Sequence, residues 1–437
     1  MKKFNLKRAL QASLAWVIQP KVLAFILIFI LAFRIRSAEL AQIPSRYLRP
    51  NPGWELSSIA ISLFNGDGFA NPYMITTGPT AHLPPIYPYL VGFIYRIYGL
   101  TPEGGLRSMQ LMVVTGALMY ALLPWLSEKL GLGVQPGIIG GVAGAMFVEW
   151  PGHGEYLAAI ALGLILVAFL RRWDQQNYSR GSSLLLGIAI GVAFHVQPAL
   201  LTVILGCLIF EIWWSRNAKK WALTGVVILG ILAASIPWGW RNYVTFDSVF
   251  FIRSNFGLEL RMGNHEEAAP TMEVMDEEGD EHRHPAAHIA EAMKLREVGE
   301  IAYMQGAKTE AYEWIQSNPV EFLRLTSLRV VNVWFGPPYN LKVALGVSAL
   351  SILAILGFWR ISALLTIPQR AALLIPLGTF PLVYYVVGYM PRYRIPIDWA
   401  LYLLAGAAVW QVTIWVLEIF SRSKYLAGMK SAQQRIH

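Results

Sequence analysis

The chain has 437 residues, 55% of them hydrophobic and only 14% charged, with a mean hydropathy of +0.45. A soluble protein carries about a quarter charged residues, and apolar runs able to cross a hydrocarbon core of about 30 Å recur here, so the sequence reads as an all-α, multi-pass integral membrane protein. The net charge of +9 sits in short clusters beside apolar runs, which marks topology and excludes a nucleic-acid footprint, while the single cysteine, Cys207, excludes an internal disulfide and a multi-thiolate zinc site.

In chain order, the basic start MKKFNLKRAL precedes an apolar run with no small-residue cleavage site after it, so the run is expected to be a retained first span at about 20–38. Further spans are expected at about 107–126, 133–149, 156–171, 182–196, 198–214, 221–238, 341–359, 371–388 and 397–419, about ten in all. This threading puts every basic cluster on the cytoplasmic side. The clusters are Lys2, Lys3, Lys7 and Arg8; Lys129; Arg171, Arg172 and Arg180; Arg216, Lys219 and Lys220; Arg360 and Arg370; and Arg422, Lys424, Lys430 and Arg435. Both termini are then cytoplasmic. Residues 85–99, PIYPYLVGFIYRIYG, would invert every later loop if counted as a span, and they carry Arg96 and several tyrosines. They are assigned to the outer interface as a juxtamembrane helix.

Three regions follow: an N-terminal transmembrane module over 1–238 with a first outer loop at about 39–106, an extracytoplasmic helical cap over 239–340, and C-terminal transmembrane helices over 341–437. In the first, Gly137 with Gly141 and Gly140 with Gly144 are small residues four apart, a spacing for close helix approach and not a dinucleotide fingerprint. In the second, the acidic stretch Glu273 to Glu281 beside His282, His284 and His288 reads as a solvated loop and not a metal site. Helical patterns follow at about 286–299 and 302–317. Asn318-Pro319-Val320-Glu321 then has the form of an N-cap, first-turn proline and capping-box glutamate, opening a surface helix over 319–335 with Phe322, Leu325, Leu328 and Val331 on one face.

Polar groups gather at four outer places. Glu55 lies near the start of a short helix closed by Asn65-Gly66-Asp67-Gly68; His82 lies in a proline-rich loop, TGPTAHLPPIYP; Glu149, His153 and Glu155 share the turn EWPGHGE; and Arg392 and Arg394 precede the last span. Carboxylates facing cations at the lipid–water boundary suit one kind of chemistry. A carboxylate can take a proton from an attacking hydroxyl or amine, and guanidiniums can hold a phosphate as it leaves. The bland alternatives are a helix-dipole role for Glu55, headgroup contacts for the arginines, and structural roles for the histidines.

The motifs E-x-x-x-I-A-x-S-L-x-x-G-x-G-F from Glu55, T-G-P-T-A-x-x-x-P-x-Y-P from Thr77, P-W-x-x-R-N-Y from Pro237 to Tyr243, RSNFGLELRMGN from Arg253 to Asn264, and R-Y-R-I-P from Arg392 occur in this order. Together they resemble the C-type glycosyltransferase superfamily, specifically bacterial proteins similar to family 39 protein mannosyltransferases and aminoarabinose–lipid A transferases. The resemblance implies a transferase taking a sugar from a polyprenyl-phosphate carrier, with inversion, outside the cytoplasmic membrane. It implies that Glu55 is the catalytic carboxylate, although relatives commonly carry an Asp-Glu pair where Asn51 and Pro52 stand. It further implies Glu155, with Glu149 as rival and His153 beside them, as the second-loop group that binds a divalent cation or orients the acceptor. Arg392 and Arg394, with His82 and Arg241 as further candidates, would meet the donor phosphate.

The expected function is therefore an inverting glycosyltransferase of the inner (plasma) membrane with an extracytoplasmic site. Its partners would be a polyprenyl-phosphate sugar and a lipid, glycan or protein acceptor, and a divalent cation is the one cofactor the acidic turn could hold. Two other readings are a polyprenyl-linked glycan ligase or phosphate-group transferase, and a lipid or solute transporter. The transporter reading lacks internal repeats and mid-membrane charges.

Overall fold

The computed structural model describes residues 19–434 except 45–46, 51–53, 148–153, 176–177 and 273–282, with side chains to residue 419, Gln175 excepted. Glu149, His153, Asn51, Pro52, the acidic stretch with His282, the first basic cluster and the side chains of the last one lie outside the described residues.

Among the described residues the chain is helical, and its only extended pairings are isolated bridges at Ala70 with Pro79 and Thr271 with Tyr389. The helices are α1 Pro20–Leu40, α2 Glu55–Asn65, α3 Ile86–Tyr98, α4 Pro102–Ala121, α5 Leu123–Lys129, α6 Val134–Met146, α7 Glu155–Gln175, α8 Arg180–Phe194, α9 Leu200–Ser215 and α10 Ala218–Phe246. Then come α11 Phe256–Gly263, α12 Ile289–Val298, α13 Glu300–Ser317, α14 Pro319–Phe335, α15 Leu341–Ile361, α16 Ile367–Thr379, α17 Leu382–Val386 and α18 Ile395–Gln434. Helix stands at each expected span. The segments Pro102–Lys129, Glu155–Asp174, Ala218–Phe246, Leu341–Leu364 and Pro391–Ile419 are long and apolar enough to cross a membrane, while α6, α8 and α9 are shorter apolar helices. The expected juxtamembrane helix is α3, whose Gly92 brings it against Leu63 of α2.

The start of α18 is the centre of the bundle, with Ile397, Trp399, Ala400 and Leu403 fully buried. Small residues let neighbours press onto its backbone. A Cβ on Gly140 of α6 would lie 2.5 Å from the Tyr402 carbonyl oxygen, and one on Gly357 of α15 would strike the Leu404 carbonyl.

Three expectations are corrected. The span at 371–388 is broken after Thr379, because Pro381 has no N–H to continue the ladder, and a single further turn follows as α17. In α14 the buried face is Leu325, Arg329, Asn332 and Val333, whereas Val331 is exposed. The Arg329 guanidinium needs carbonyl partners, which Gly263 of the cap and Val386 of α17 supply. The capping box is not made either: Glu321 turns to Arg324 (2.8 Å).

The two ends of the bundle differ chemically. At one, Lys21 pairs with Glu128 (3.0 Å), Gly131 packs on Gln369, Trp214 Nε1 donates to the Trp173 carbonyl, and buried Arg172 forks onto buried Glu211 (2.8 and 3.0 Å). These contacts collect the ends of helices that carry Lys129, Arg171, Arg172, Arg216 and Arg370. At the other end, the Ile86 amide donates to the His195 carbonyl, Trp238 Nε1 to the Ile252 carbonyl, and the Met272 amide to the Tyr389 carbonyl. The first outer loop, the cap and the residues before α18 meet there.

Candidate active site

The His82 loop is built by hydrogen bonds that its sequence can make only when bent. Asn71, at φ 55°, accepts the amides of Thr77 and Gly78 on its Oδ1 (3.1 and 2.9 Å) and donates to Ser62 Oγ on α2 (3.2 Å). The amide of Thr80 donates to the Phe69 carbonyl, closing the loop. Tyr73 enters a small cap core with Leu258, Leu295 and Met304, and its hydroxyl reaches His82 Nδ1 at 3.2 Å.

Glu55 begins α2, where its charge suits the helix N-terminus. Its Oε1 lies 2.8 Å from His82 Nε2 and 3.4 Å from His284 Nε2. Burial by itself would raise the Glu55 carboxyl. The charge and hydrogen bond of His82, then His284 and Arg253, outweigh it and hold the carboxyl well below its usual range. Burial opposes the charge on His82 too, yet Glu55 raises the imidazole above 6.5. On His284 burial prevails and lowers the ring. These directions favour the charged forms of Glu55 and His82 and the neutral form of His284.

One ligand atom from each of Glu55, His82 and His284 lies within 4.8 Å of the others, a spacing that could surround a cation. The donors do not fit one. His284 Nδ1 accepts the Ala286 amide (3.0 Å), so the neutral ring carries its proton on Nε2, where ligation needs a lone pair. On His82 the Glu55 carboxylate favours the proton that a ligating nitrogen must give up. The three form an acid–imidazole cluster. His284 was expected in a solvated loop; a ring packed against Tyr73 and His82 corrects that reading.

Arg392 lies in the 3-10 turn Pro391–Arg394. Its buried Nε has no hydrogen-bond partner among the described residues and stands 3.7 Å from Glu155 Oε1. Glu155 is itself fixed by the Gly154 amide (2.9 Å). The charge of Glu55 is also felt at Arg392, more weakly than those of Tyr393 and Glu155. Tyr393 stacks on Tyr384 at 4.9 Å beside them.

The other candidate cations are committed elsewhere. Arg394 is buried, with Nε on Asp398 (2.6 Å) and Nη1 on the Val333 carbonyl (2.9 Å). Arg241 donates to the carbonyls of Thr80 (2.8 Å) and Phe69 (3.0 Å). His82 serves Glu55.

Several site residues carried no usable sequence signal. Arg253, which donates to the His82 carbonyl (2.8 Å), sits inside a stretch noticed only as a motif. Tyr73 and Glu300 resemble any other loop tyrosine or helix-start glutamate. Arg36 could have been found, as a charge inside an apolar run. It lies between the rings of Tyr120 and Tyr156 and donates to the Tyr156 hydroxyl (2.9 Å), next to Glu155.

No protein-family model and no curated protein matches the chain. Solved structures do. The oligosaccharyltransferase AglB of Archaeoglobus fulgidus, in complex with an inhibitory peptide and a dolichol-phosphate, superposes with a TM-score of 0.52 at 14% identity over 92% of this chain. The same protein tethered to an acceptor peptide gives 0.51 over 93%. The chain spans about half of AglB's length (52%). ArnT of Cupriavidus metallidurans bound to undecaprenyl phosphate covers 89% of this chain at 14% identity, with a TM-score of 0.38. The chain therefore shares its fold with the matching half of AglB.

Proposed function

We propose that this chain is an inverting glycosyltransferase that moves a sugar from a polyprenyl-phosphate donor to an acceptor at the extracytoplasmic face of the membrane. The observation that carries the reading is that Glu55, a carboxylate held depressed by His82, stands at the same end of the bundle as the Arg392–Glu155 ion pair, in which Arg392 Nε makes no hydrogen bond among the described residues. That end lies opposite the basic clusters, which is what an extracytoplasmic site requires under the positive-inside rule.

In the proposed reaction the acceptor oxygen bonds to the anomeric carbon as the carbon–oxygen bond to phosphate breaks. The phosphate leaves with the electron pair, and its growing charge is met by Arg392. Once bonded, the acceptor oxygen is strongly acidic, so a carboxylate of depressed pKa suffices to take its proton. Both imidazoles address Oε1 of Glu55, which assigns proton uptake to Oε2. Glu155 keeps Arg392 aimed. AglB, a structure with dolichol-phosphate, supports a polyprenyl carrier for this fold. Because AglB is an oligosaccharyltransferase, en bloc transfer of a lipid-linked glycan is the second reading.

The test uses purified protein with polyprenyl-phosphate sugars and mass spectrometry of the products. A new glycosidic bond of opposite anomeric configuration to the donor, absent with Glu55→Gln, is expected. Full-rate transfer by Glu55→Gln would remove Glu55 as the base, and movement of donor without a new bond would favour transport.

A further inference from the structure

We infer that Glu300 is a positioning residue: from the first turn of α13 in the cap it fixes the backbone that aims His82 at Glu55. This rests on the reading of Glu55 as the base and names a group outside that machinery.

The Glu300 carboxylate is buried, and it accepts three hydrogen bonds from two other segments. Its Oε2 takes Thr80 Oγ1 (2.5 Å); its Oε1 takes the Ala81 amide (2.8 Å) and Ser254 Oγ (2.6 Å). The His82 amide in turn donates to Thr80 Oγ1 (3.0 Å), so the backbone of His82 is two hydrogen bonds from the Glu300 carboxylate. Three donors facing one group require an acceptor-only partner, and an ionised carboxylate is the side chain that supplies it.

The rest of the loop is held from the same side. Arg241 takes the Thr80 carbonyl, the Ser254 amide donates to the Ala81 carbonyl, and Arg253 takes the His82 carbonyl. Each of the three carbonyls of residues 80–82 therefore answers to a donor in residues 241–254, while Glu300 answers the donors of Thr80 and Ala81. With Glu300 in place, the backbone that carries His82 is held through both its amides and its carbonyls. A misplacement of about 1 Å at a catalytic group can cost on the order of 100-fold in rate, so this carboxylate acts on the reaction without touching it.

Glu300→Gln tests the idea in the full chain, since its amide nitrogen would face a donor. The first readout is carbethoxylation of His82 by diethylpyrocarbonate, followed by peptide mass spectrometry. His82 is 1% exposed in the native fold, and Glu300→Gln is expected to raise its modification rate by about tenfold, the effect of local opening made easier by one unit of log K. The second readout is a double-mutant cycle with His82→Gln. Acting through His82, Glu300→Gln should lower kcat by at least about tenfold in the native background and by far less when His82 is already absent. Equal losses in both backgrounds, or unchanged His82 reactivity, would overturn the assignment. Should Glu300→Gln fail to fold, Ser254→Ala, which removes one of the three bonds to Glu300 and none to His82, carries the same two expectations in the same direction. The modification readout does not depend on transfer, so it judges Glu300 even if the chain proves not to be a transferase.

Discussion

Glu55 Oε1 and His82 Nε2 stand 2.8 Å apart, and this contact decides the protonation of both residues. Replacing His82 by Gln keeps a donor at the same reach but removes the positive charge. The Glu55 carboxyl then loses the largest influence holding it down and rises, with His284 and Arg253 still opposing burial. We expect kcat to fall by about 10–100-fold and the acid limb of the pH–rate profile to move to higher pH. A profile of unchanged shape would show that the contact does not tune the base.

Arg392 and Arg394 are two residues apart yet should respond to mutation in opposite ways. Arg392 Nε makes no hydrogen bond among the described residues and pairs with Glu155 only at 3.7 Å, so Arg392→Ala should lower transfer by about 100- to 1,000-fold and cost less stability than the loss of Arg394. Arg394→Ala strands buried Asp398 and the Val333 carbonyl, at a cost of about 3–5 kcal/mol. Thermal unfolding in detergent, run beside the transfer assay, separates the two. Loss of stability in Arg392→Ala and not in Arg394→Ala would reverse the assignment.

The same contact predicts a pH window for stability. His82 is raised above 6.5 in the fold, so its contribution is complete below 6.5 and is lost as pH climbs through the folded value. Glu55 is depressed, so its contribution is complete above 4.5 and is lost as pH falls through the folded value. Between 4.5 and 6.5 both are present. The melting-temperature gap between wild type and His82→Gln should therefore be wider at about pH 5.5 than at about pH 9. A gap that widens with alkalinity would mean that His82 is neutral in the fold.

Because His284 presents a proton and not a lone pair to Glu55, we expect exhaustive treatment with a chelator to leave transfer unchanged. Metal analysis of the purified protein provides the check. A stoichiometric ion, with activity lost on its removal, would require the Ala286 contact to break in the working enzyme.

What the sequence disclosed follows from the range of each signal. Helix positions were legible because apolar periodicity is local, and Glu55 was legible because a helix start and its closing Gly66 lie within a dozen residues. The break at Pro381 was local too, and was lost inside a run that is apolar on both sides. His284, Arg253 and Glu300 act on residues 171 to 229 positions away, and nothing in their own neighbourhoods marks them. Arg329 shows the same point in α14. Placing an arginine on the inward face looks wrong until the Gly263 and Val386 carbonyls, which belong to other segments, are known. The order of helices along the chain was readable; convergence across it was not.

Orientation supplies the last prediction. The contacts place Glu55, His82, Glu155 and Arg392 at one end of the bundle and Lys21, Glu128, Arg172 and Glu211 at the other. The positive-inside rule assigns the second end to the cytoplasm. Single cysteines in a Cys207→Ser background, at exposed Met74 near the site and at Lys219 in a basic cluster, should react with a membrane-impermeant maleimide from opposite sides. Cys207 is buried in α9 and its own thiol is a poor target. In intact cells the cysteine at 74 should label and the one at 219 should label only after permeabilisation. Labelling of both from one side would mean that the two ends do not face opposite compartments. The reverse pattern would move the site to the cytoplasm, where a soluble nucleotide sugar could serve as donor and a polyprenyl carrier would lose its rationale.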